Sequence, residues 1–291
     1  MIKRYRLKWH GHDLDLGVRT AIMGVVNVTP DSFSDGGRFY AARDAIRHAR
    51  ILVEEGVDII DIGGESSRPY ADDVAADMEM ARVLPVIEGL AGKINVPISI
   101  DTTKAVVAEA AVSAGASIIN DIGALRLDPD MAEVAVRHDL PVILMHMQGL
   151  PRTMQINPSY ADVVADVKRF LAEALRSAEA AGIDRAKLII DPGIGFGKSI
   201  AHNLTLLRNL PALSELDAPI LVGPSRKAFI RKLLADGPAE LTADCPEVAT
   251  GTQAAVAAAV LNGAHIVRVH DVAATRATLK ILDAVRAAST S

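Results

Sequence analysis

The sequence has only one cysteine, Cys245, which excludes an internal disulfide and a cysteine-rich metal site. It also lacks any apolar run that approaches the roughly 20 residues needed by a membrane-spanning helix. The charged start, residues 1–10, is not followed by the apolar stretch of a signal peptide. Nor is there an excess of positive charge: the formal net charge is −5, which argues against a general nucleic-acid-binding protein. These absences predict a cytoplasmic enzyme of small molecules, with no membrane or nucleic-acid partner.

What the sequence does contain is a series of eight apolar runs of strand length, each ending at polar or glycine residues. They are residues 22–28, 57–64, 97–102, 117–122, 141–147, 188–193, 219–225 and 265–271. Near-continuous runs of Ile, Val and Leu are typical of parallel strands that are covered on both faces. Segments with helical periodicity lie between them. Eight alternations of strand and helix predict one domain over residues 1–291, a (βα)8 TIM barrel.

Two further features accompany this pattern. Residues 4–18 precede the first strand, and the turn at 11–13 predicts a short N-terminal hairpin that plugs the bottom of the barrel. Residues 237–247 are predicted to form an irregular insertion between helices that start near Lys227 and Ala249. The alternative architecture is an open, doubly wound parallel sheet.

Polar residues concentrate where the predicted strands end, which is where barrel enzymes place their active sites. They are Asn27, Glu65–Arg68, Asp101, Asn120–Asp121, His146, Asp191, Ser225–Lys227 and Arg268–Asp271. Any one of them could be a helix N-cap or a solvated strand end, but together they indicate a binding site. The cations suit a phosphate or pyrophosphate group. The carboxylates and the amide suit a flat heterocycle rich in N–H donors.

Two motif readings can be excluded at this point. The segment GIGFGKS (193–199) resembles a phosphate-binding P-loop, but the first glycine of that motif would fall at Pro192. Its glycines also miss the dinucleotide-binding spacing, so we expect a tight turn that brings backbone close to a planar ligand. His146 and His270 have no partner at zinc-ligand spacing.

Several of these segments carry a family resemblance that spans nearly the whole chain. The motifs are MGVVNVTPDSFSDGG (23–37), DIGGESSRP (61–69), SIDTTK (99–104), IINDI (118–122), LMHMQG (144–149), DPGIGFGK (191–198), GPSRK (223–227) and RVHDV (268–272). Together they closely resemble the dihydropteroate synthase family. The resemblance implies a transferase of folate biosynthesis that condenses 6-hydroxymethyl-7,8-dihydropterin pyrophosphate with 4-aminobenzoate. It implies release of pyrophosphate, a need for Mg²⁺ and a homodimer.

The same resemblance implies a role for individual positions. The implied Mg²⁺ ligand is Asn27. The implied pyrophosphate-binding residues are Asn27, Ser67, Arg68, Arg268 and His270. The implied pterin pocket consists of Asp101, Asn120, Met145, Asp191 and Lys227. The implied surroundings of 4-aminobenzoate are Phe33, Pro69, Phe196, Ser225 and Lys227. Catalysis is assigned to Asp101, Asp191, Lys227 and Arg268.

Two departures and two rival functions stay open. The family commonly has threonine where Ser67 stands and serine where Ala228 stands, which puts the affinity for 4-aminobenzoate in question. One rival is a methyltetrahydrofolate:corrinoid methyltransferase, which needs no pyrophosphate site. The other is a non-catalytic pterin-binding protein, which would be favoured by the loss of Asn27, Arg68 or Lys227; all three are present.

We expect sulfonamides to inhibit the enzyme by competing with 4-aminobenzoate, because they share its aniline end and can place a sulfonyl group near Ser225 and Lys227. Steady-state rates at several concentrations of drug and 4-aminobenzoate should show an apparent KM that rises with drug. An unchanged KM at inhibitory drug concentrations would contradict a shared pocket.

Overall fold

The computed structural model describes residues 3–29, 37–66, 73–149 and 152–288. The chain starts with two antiparallel strands, β1 (Tyr5–Trp9) and β2 (His12–Leu16). Eight parallel strands follow: β3 (Ala21–Asn27), β4 (Ile59–Gly63), β5 (Ile98–Asp101), β6 (Ile118–Asp121), β7 (Val142–Met145), β8 (Leu188–Asp191), β9 (Leu221–Val222) and β10 (Ile266–Val269).

Helices follow these strands and form the outer layer. In the described residues they are α1 (Gly37–Glu54), α2 (Ala76–Leu90), α3 (Ala105–Ala114), α4 (Met131–Arg137), α5 (Val163–Ala180), α6 (Ile200–Arg208), α7 (Ala228–Leu233), α8 (Pro246–Leu261) and α9 (Val272–Ala287). None of the helices described is long and apolar enough to cross a membrane.

The sheet closes on itself. Its hydrogen-bonded order is β8–β7–β6–β5–β4–β3–β10–β9, and a parallel bridge between Ile190 and Ile220 joins the two ends. Every strand therefore lies next to its neighbours in the chain, which a doubly wound open sheet does not allow. The predicted (βα)8 barrel is confirmed.

Alternation along the strands divides the side chains into an inner and an outer set, because successive residues of a strand point to opposite faces. In β4, Ile60 and Ile62 pack into the core beneath the helices, whereas Ile59 packs inside the barrel. Asp61 has the phase of Ile59 and therefore points inward. The same phase is shared by the predicted site residues Asn27, Asp101, Asn120, Met145, Asp191, Arg268 and His270. The inside of the barrel is thus apolar in its lower layer and polar above it.

The hairpin β1–β2 closes the apolar end of the barrel. Leu7, Trp9 and Leu16 are buried and form one cluster with the lower inner layer. That layer consists of Ala21, Met23, Ile59, Ile118, Ile143, Ile189, Leu221 and Ile266. The predicted hairpin plug is confirmed, and the polar mouth is left as the end of the barrel that faces solvent.

The region after β9 differs slightly from the prediction. Helix α8 begins at Pro246 rather than near Ala249, because proline fits the first turn of a helix, where no N–H is needed for the helical ladder. Between α7 and α8 the chain is irregular, as predicted, and is held by a hydrogen bond from the Leu241 N–H to the Arg231 carbonyl and by a 3.3 Å ion pair between Arg231 and Glu240.

Trp9→Ala should destabilise the fold by roughly 3–5 kcal/mol, the usual cost of truncating a buried tryptophan. The neighbouring side chain of Lys8 is exposed, so Lys8→Ala should change stability by less than about 0.5 kcal/mol. Urea unfolding followed by circular dichroism measures both, since Trp9 is the only tryptophan available for fluorescence. Equal stability of the two variants would contradict the role of the hairpin as a plug.

Candidate active site

An ion-pair cluster forms the floor of the mouth and joins three strands. The side chain of Arg268 on β10 donates from Nε to Asp61 Oδ2 at 2.7 Å and from Nη2 to Asp101 Oδ2 at 2.7 Å. Asn120 on β6 donates from Nδ2 to the same oxygen of Asp61 at 3.2 Å. Asp61 is fully buried, and its Oδ1 has no hydrogen-bond partner among the described residues.

The cluster holds two carboxylates and one guanidinium in a place with little solvent. Burial raises the pKa of Asp101, and the nearby Arg268 opposes that shift. For Arg268 burial lowers the pKa, but the carboxylates of Asp61 and Asp101 outweigh this and raise it overall. Arg268 is therefore a permanent cation, and removing it would leave two buried carboxylates without their counter-ion.

Across the mouth, β8 ends in a third buried carboxylate, that of Asp191. Asp191 Oδ1 accepts a hydrogen bond from the Gly193 N–H at 2.7 Å. Burial raises the pKa of Asp191 to about 6, against the opposing effect of this hydrogen bond and of Lys227, Lys198 and Arg268. The carboxylate is thus ionised at neutral pH but lies close to its protonation range.

The turn after β8 follows the tight path expected for its glycines. Gly193, Gly195 and Gly197 all have positive φ. A Cβ at Gly193 would lie 1.9 Å from the His146 carbonyl oxygen, and one at Gly197 would lie 2.8 Å from that of Gln148. Only glycine fits such an approach. The tight turn is confirmed, whereas its contact with a planar ligand stays a prediction.

A buried lysine holds this turn from below. Lys198 donates from Nζ to His146 Nδ1 and to the Phe196 carbonyl oxygen, both at 2.9 Å. Burial lowers the pKa of Lys198 to about 7 and that of His146 to about 3. Lys227 lies on the other side of the turn, with Nζ 3.9 Å from the centre of the Phe196 ring, a cation–π distance.

The remaining strand ends place further predicted residues at the mouth. Ser225 Oγ and His270 Nδ1 are 2.9 Å apart and join the segment after β9 to the end of β10. Asn27 is the last residue of β3 and pairs in register with Gly63. Phe33, Ser67, Arg68 and Pro69, four of the predicted substrate-contacting residues, lie outside the described residues.

Two strand-end residues prove to be structural. The Asp121 carboxylate accepts hydrogen bonds from the N–H groups of Gly123 and Leu125 and so stabilises a turn. His146 packs edge-on against Phe170 at 4.8 Å. Each follows an inward-facing residue, so alternation turns it towards the helices.

Two other residues of the site were missed by the sequence reasoning, which considered only strand ends. Asp61 lies inside an apolar strand, and a signal was available: it is two residues from Ile59 and so shares the inward phase. Lys198 was passed over when the P-loop reading of its motif was excluded. No pattern in the sequence indicates that its ammonium group is buried.

A cleft of about 460 Å³ lies at the hairpin end, lined in part by Trp9, Asp13 and Asp58. None of the predicted site residues that the structure describes lines it. Within the described part of the chain, no group of three or more His, Cys, Asp or Glu side chains could hold a metal ion. The polar cluster of Asp61, Asp101, Asn120 and Arg268 lies instead at the mouth of the barrel.

Comparisons with known proteins agree with this geometry. The pterin binding enzyme family matches residues 23–270. The dihydropteroate synthase of Synechocystis is 46% identical over 271 residues, which cover 93% of this chain and 92% of that protein. The solved structure of Xanthomonas albilineans dihydropteroate synthase with 4-aminobenzoic acid has a TM-score of 0.89 and 47% identity, covering 99% of this chain and all of that one. The same enzyme in complex with 7,8-dihydropteroate has a TM-score of 0.86 and 46% identity, covering 98% and 100%.

A closed barrel with a polar mouth and a family match over most of the chain define its class: the chain belongs to the pterin-binding enzymes. Within that class it belongs to the dihydropteroate synthases, which confirms the resemblance carried by its motifs.

The affinity for a pterin should depend on the ionisation of Asp191. Isothermal titration with 6-hydroxymethylpterin, at several pH values between 5 and 8, should show the wild type binding more tightly than Asp191→Asn at pH 8. Below about pH 6 the ratio of the two affinities should decrease by up to about tenfold per pH unit. The reason is that protonation of Asp191 removes both an acceptor and the negative charge of the carboxylate. Comparing the two proteins cancels the titration of the ligand itself. An advantage that is constant over this range would contradict the role of Asp191.

Proposed function

We propose that the polar mouth condenses 6-hydroxymethyl-7,8-dihydropterin pyrophosphate with 4-aminobenzoate. The products are 7,8-dihydropteroate and pyrophosphate. The observation that supports the proposal is the polar inner layer, in which acceptor groups and one permanent cation meet on the floor of the mouth. Acceptors suit the donor-rich pterin and cations suit the pyrophosphate.

The pterin ring would lie over the floor of the mouth. Asp101, Asn120 and Asp191 offer oxygen atoms to its N–H groups, and the Met145 side chain supplies a polarizable surface. Met145 packs in a separate small cluster with Ile122, Met147, Met154 and Phe196. This apolar wall beside the carboxylates suits a flat ring with polar edges.

The pyrophosphate would lie on the cationic side of the mouth. Arg268 uses Nε and Nη2 to hold the carboxylates, and no described residue accepts from its Nη1. That group is therefore positioned for a phosphate oxygen, with His270 two residues further along the chain. Ser67 and Arg68 complete the proposed pyrophosphate site.

The chemistry of Asn27 fits a magnesium ligand. Mg²⁺ keeps several waters and is commonly held by one or two protein oxygens together with substrate phosphates. Asn27 presents one amide group at the mouth, which suits such a site. A bound Mg²⁺ would neutralise charge on the leaving pyrophosphate.

The 4-aminobenzoate would lie beside the β8–α6 turn. Phe196, with Phe33 and Pro69, would provide its walls, while Ser225 and Lys227 would meet its carboxylate. Lys227 is placed for this by its contact with the Phe196 ring and by Gly195, where a Cβ would lie 2.8 Å from Lys227 Cδ.

The reaction divides between these groups. The bond between the pterin methylene carbon and the pyrophosphate oxygen breaks, and its electron pair leaves with pyrophosphate, which Arg268 stabilises. The methylene cation is delocalised over the ring and stabilised by Asp101 and Asp191. The aniline nitrogen then forms the new C–N bond and loses a proton to solvent, so no protein nucleophile is needed.

We propose further that the chain acts as a homodimer in the cytoplasm.

The test is turnover. The purified chain, incubated with the pterin pyrophosphate, 4-aminobenzoate and Mg²⁺, should release dihydropteroate and pyrophosphate in equal amounts. Binding of the pterin without turnover would favour a non-catalytic pterin-binding protein. Methyl transfer from methyltetrahydrofolate to a corrinoid would favour the methyltransferase.

Asn27→Ala should lower turnover by at least ten- to a hundredfold, because an interaction with a charged group contributes roughly 1.5–3 kcal/mol. Excess chelator should abolish turnover of the wild type, and added Mg²⁺ should restore it. Full wild-type turnover in chelator would refute the metal requirement.

A further inference from the structure

Asp61 occupies an unusual position relative to the proposed substrate-binding groups. It makes hydrogen bonds to two of them at once, Arg268 and Asn120, and is itself fully buried. One oxygen, Oδ2, accepts hydrogen bonds from Arg268 Nε and Asn120 Nδ2 and lies 2.7 Å from Arg268 Nη2 in an ion pair. An ionised carboxylate in contact with a guanidinium can only accept hydrogen bonds. Both Arg268 and Asn120 must therefore direct N–H groups towards Asp61.

This has a definite consequence for Asn120. The amide must turn its NH2 group down towards Asp61, and its Oδ1 must then point away. No described residue donates to that oxygen. Asn120 is thereby fixed as an acceptor towards the mouth, although an asparagine can in principle present either end of its amide to a ligand.

The consequence for Arg268 is parallel. Asp61 and Asp101 hold Nε and Nη2, which fixes the plane of the guanidinium and leaves Nη1 directed elsewhere. Since the proposed pterin and pyrophosphate sites are lined by Asn120 and Arg268 respectively, one buried carboxylate sets the orientation of both.

We propose that Asp61 is a positioning residue that sets the polarity of substrate recognition: it turns Asn120 into an acceptor for the pterin and aims Arg268 at the pyrophosphate. This inference rests on the proposed function. Asp61 touches neither substrate in this account and acts through the two side chains that do.

The experiment compares Asp61→Asn with Ser99→Ala. Ser99 is the register partner of Asp61 on β5, is equally buried, and its Oγ has no hydrogen-bond partner among the described residues. Ser99→Ala therefore disturbs the same layer without removing a hydrogen bond. Isothermal titrations use 6-hydroxymethylpterin and inorganic pyrophosphate as separate probes. Thermal unfolding and the KM for 4-aminobenzoate are measured alongside.

In Asp61→Asn the new amide no longer dictates which end of Asn120 faces the mouth. Affinity for each probe should fall at least tenfold relative to the wild type, while Ser99→Ala stays within about twofold. The KM for 4-aminobenzoate should also stay within about twofold, because no residue assigned to that substrate contacts Asp61. A merely structural defect would weaken all three ligands together and would overturn the proposal.

An exchange variant makes the test independent of whether Asp61→Asn folds. In Asp61→Asn combined with Asn120→Asp, the amide at 61 donates to the carboxylate at 120, which again presents an acceptor to the mouth. Asn120→Asp alone brings two carboxylates together at a 3.2 Å contact. The exchange variant should bind the pterin at least threefold more tightly than Asn120→Asp alone, a comparison that does not require Asp61→Asn to fold. An exchange variant that binds the pterin no more tightly than Asn120→Asp would overturn the proposal.

The results also separate this inference from the proposed function. A wild type that binds neither probe refutes both. A wild type that binds both probes, with Asp61→Asn binding them as Ser99→Ala does, refutes only the assignment of Asp61.

Discussion

The active site depends on one ion-pair cluster, that of Arg268 with Asp61 and Asp101 on the floor of the mouth. Burying three charges is favourable only if the geometry is good and the hydrogen-bonding groups are largely satisfied. Here the guanidinium meets both carboxylates at 2.7 Å. The arrangement links β4, β5 and β10, and through Asn120 also β6, so the positions of four strand ends are tied to a single side chain. Any rotation of Arg268 would leave two carboxylates unpaired, which makes the floor of the mouth rigid.

The fold makes this cluster possible because it places the residues that stabilise the barrel and the residues that bind the ligand at different heights along the barrel axis. The lower inner layer is apolar and is sealed by Leu7, Trp9 and Leu16 of the hairpin, so it contributes hydrophobic stabilisation. The upper inner layer carries the charged side chains and is the layer proposed to bind the ligand. Because alternation within each strand sets both layers, a residue two positions after an inner isoleucine is placed in the mouth by the backbone alone. This explains how β4, β6, β8 and β10 each deliver a polar group to one small volume.

The barrel, the hairpin and four residues of the mouth could be predicted from the sequence, each for a different physical reason. Eight apolar runs predict the barrel because each strand is buried on both faces, and the hairpin follows from the turn near Gly11. Asp101, Asn120, Asp191 and Arg268 could be placed at the mouth because they end such runs. The family resemblance, not the pattern, gave them separate roles, and those roles stay proposals.

What could not be predicted depends on side-chain phase and on contacts between distant strands. Asp121 and His146 end their strands as Asn120 and Asp191 do, yet alternation turns them outward to stabilise a turn and to pack against Phe170. Asp61 was overlooked because it lies within a strand, although its phase places it inside. Lys198 could not be found at all, since its burial depends on carbonyl groups that the chain brings together only when β7 and β8 pair.

In the proposed function, the fixed floor of the mouth presents acceptors to the pterin and a cation to the pyrophosphate. A high-resolution crystal structure of the wild type with both a pterin and pyrophosphate bound tests this most directly. We expect Arg268 to keep Nε and Nη2 on the carboxylates, with Nη1 within about 3 Å of a phosphate oxygen. We expect Asn120 to keep its NH2 group on Asp61 and to direct its oxygen towards the ring. A structure in which Arg268 leaves Asp61 to bind pyrophosphate, or in which the pterin lies outside the polar inner layer, would contradict it.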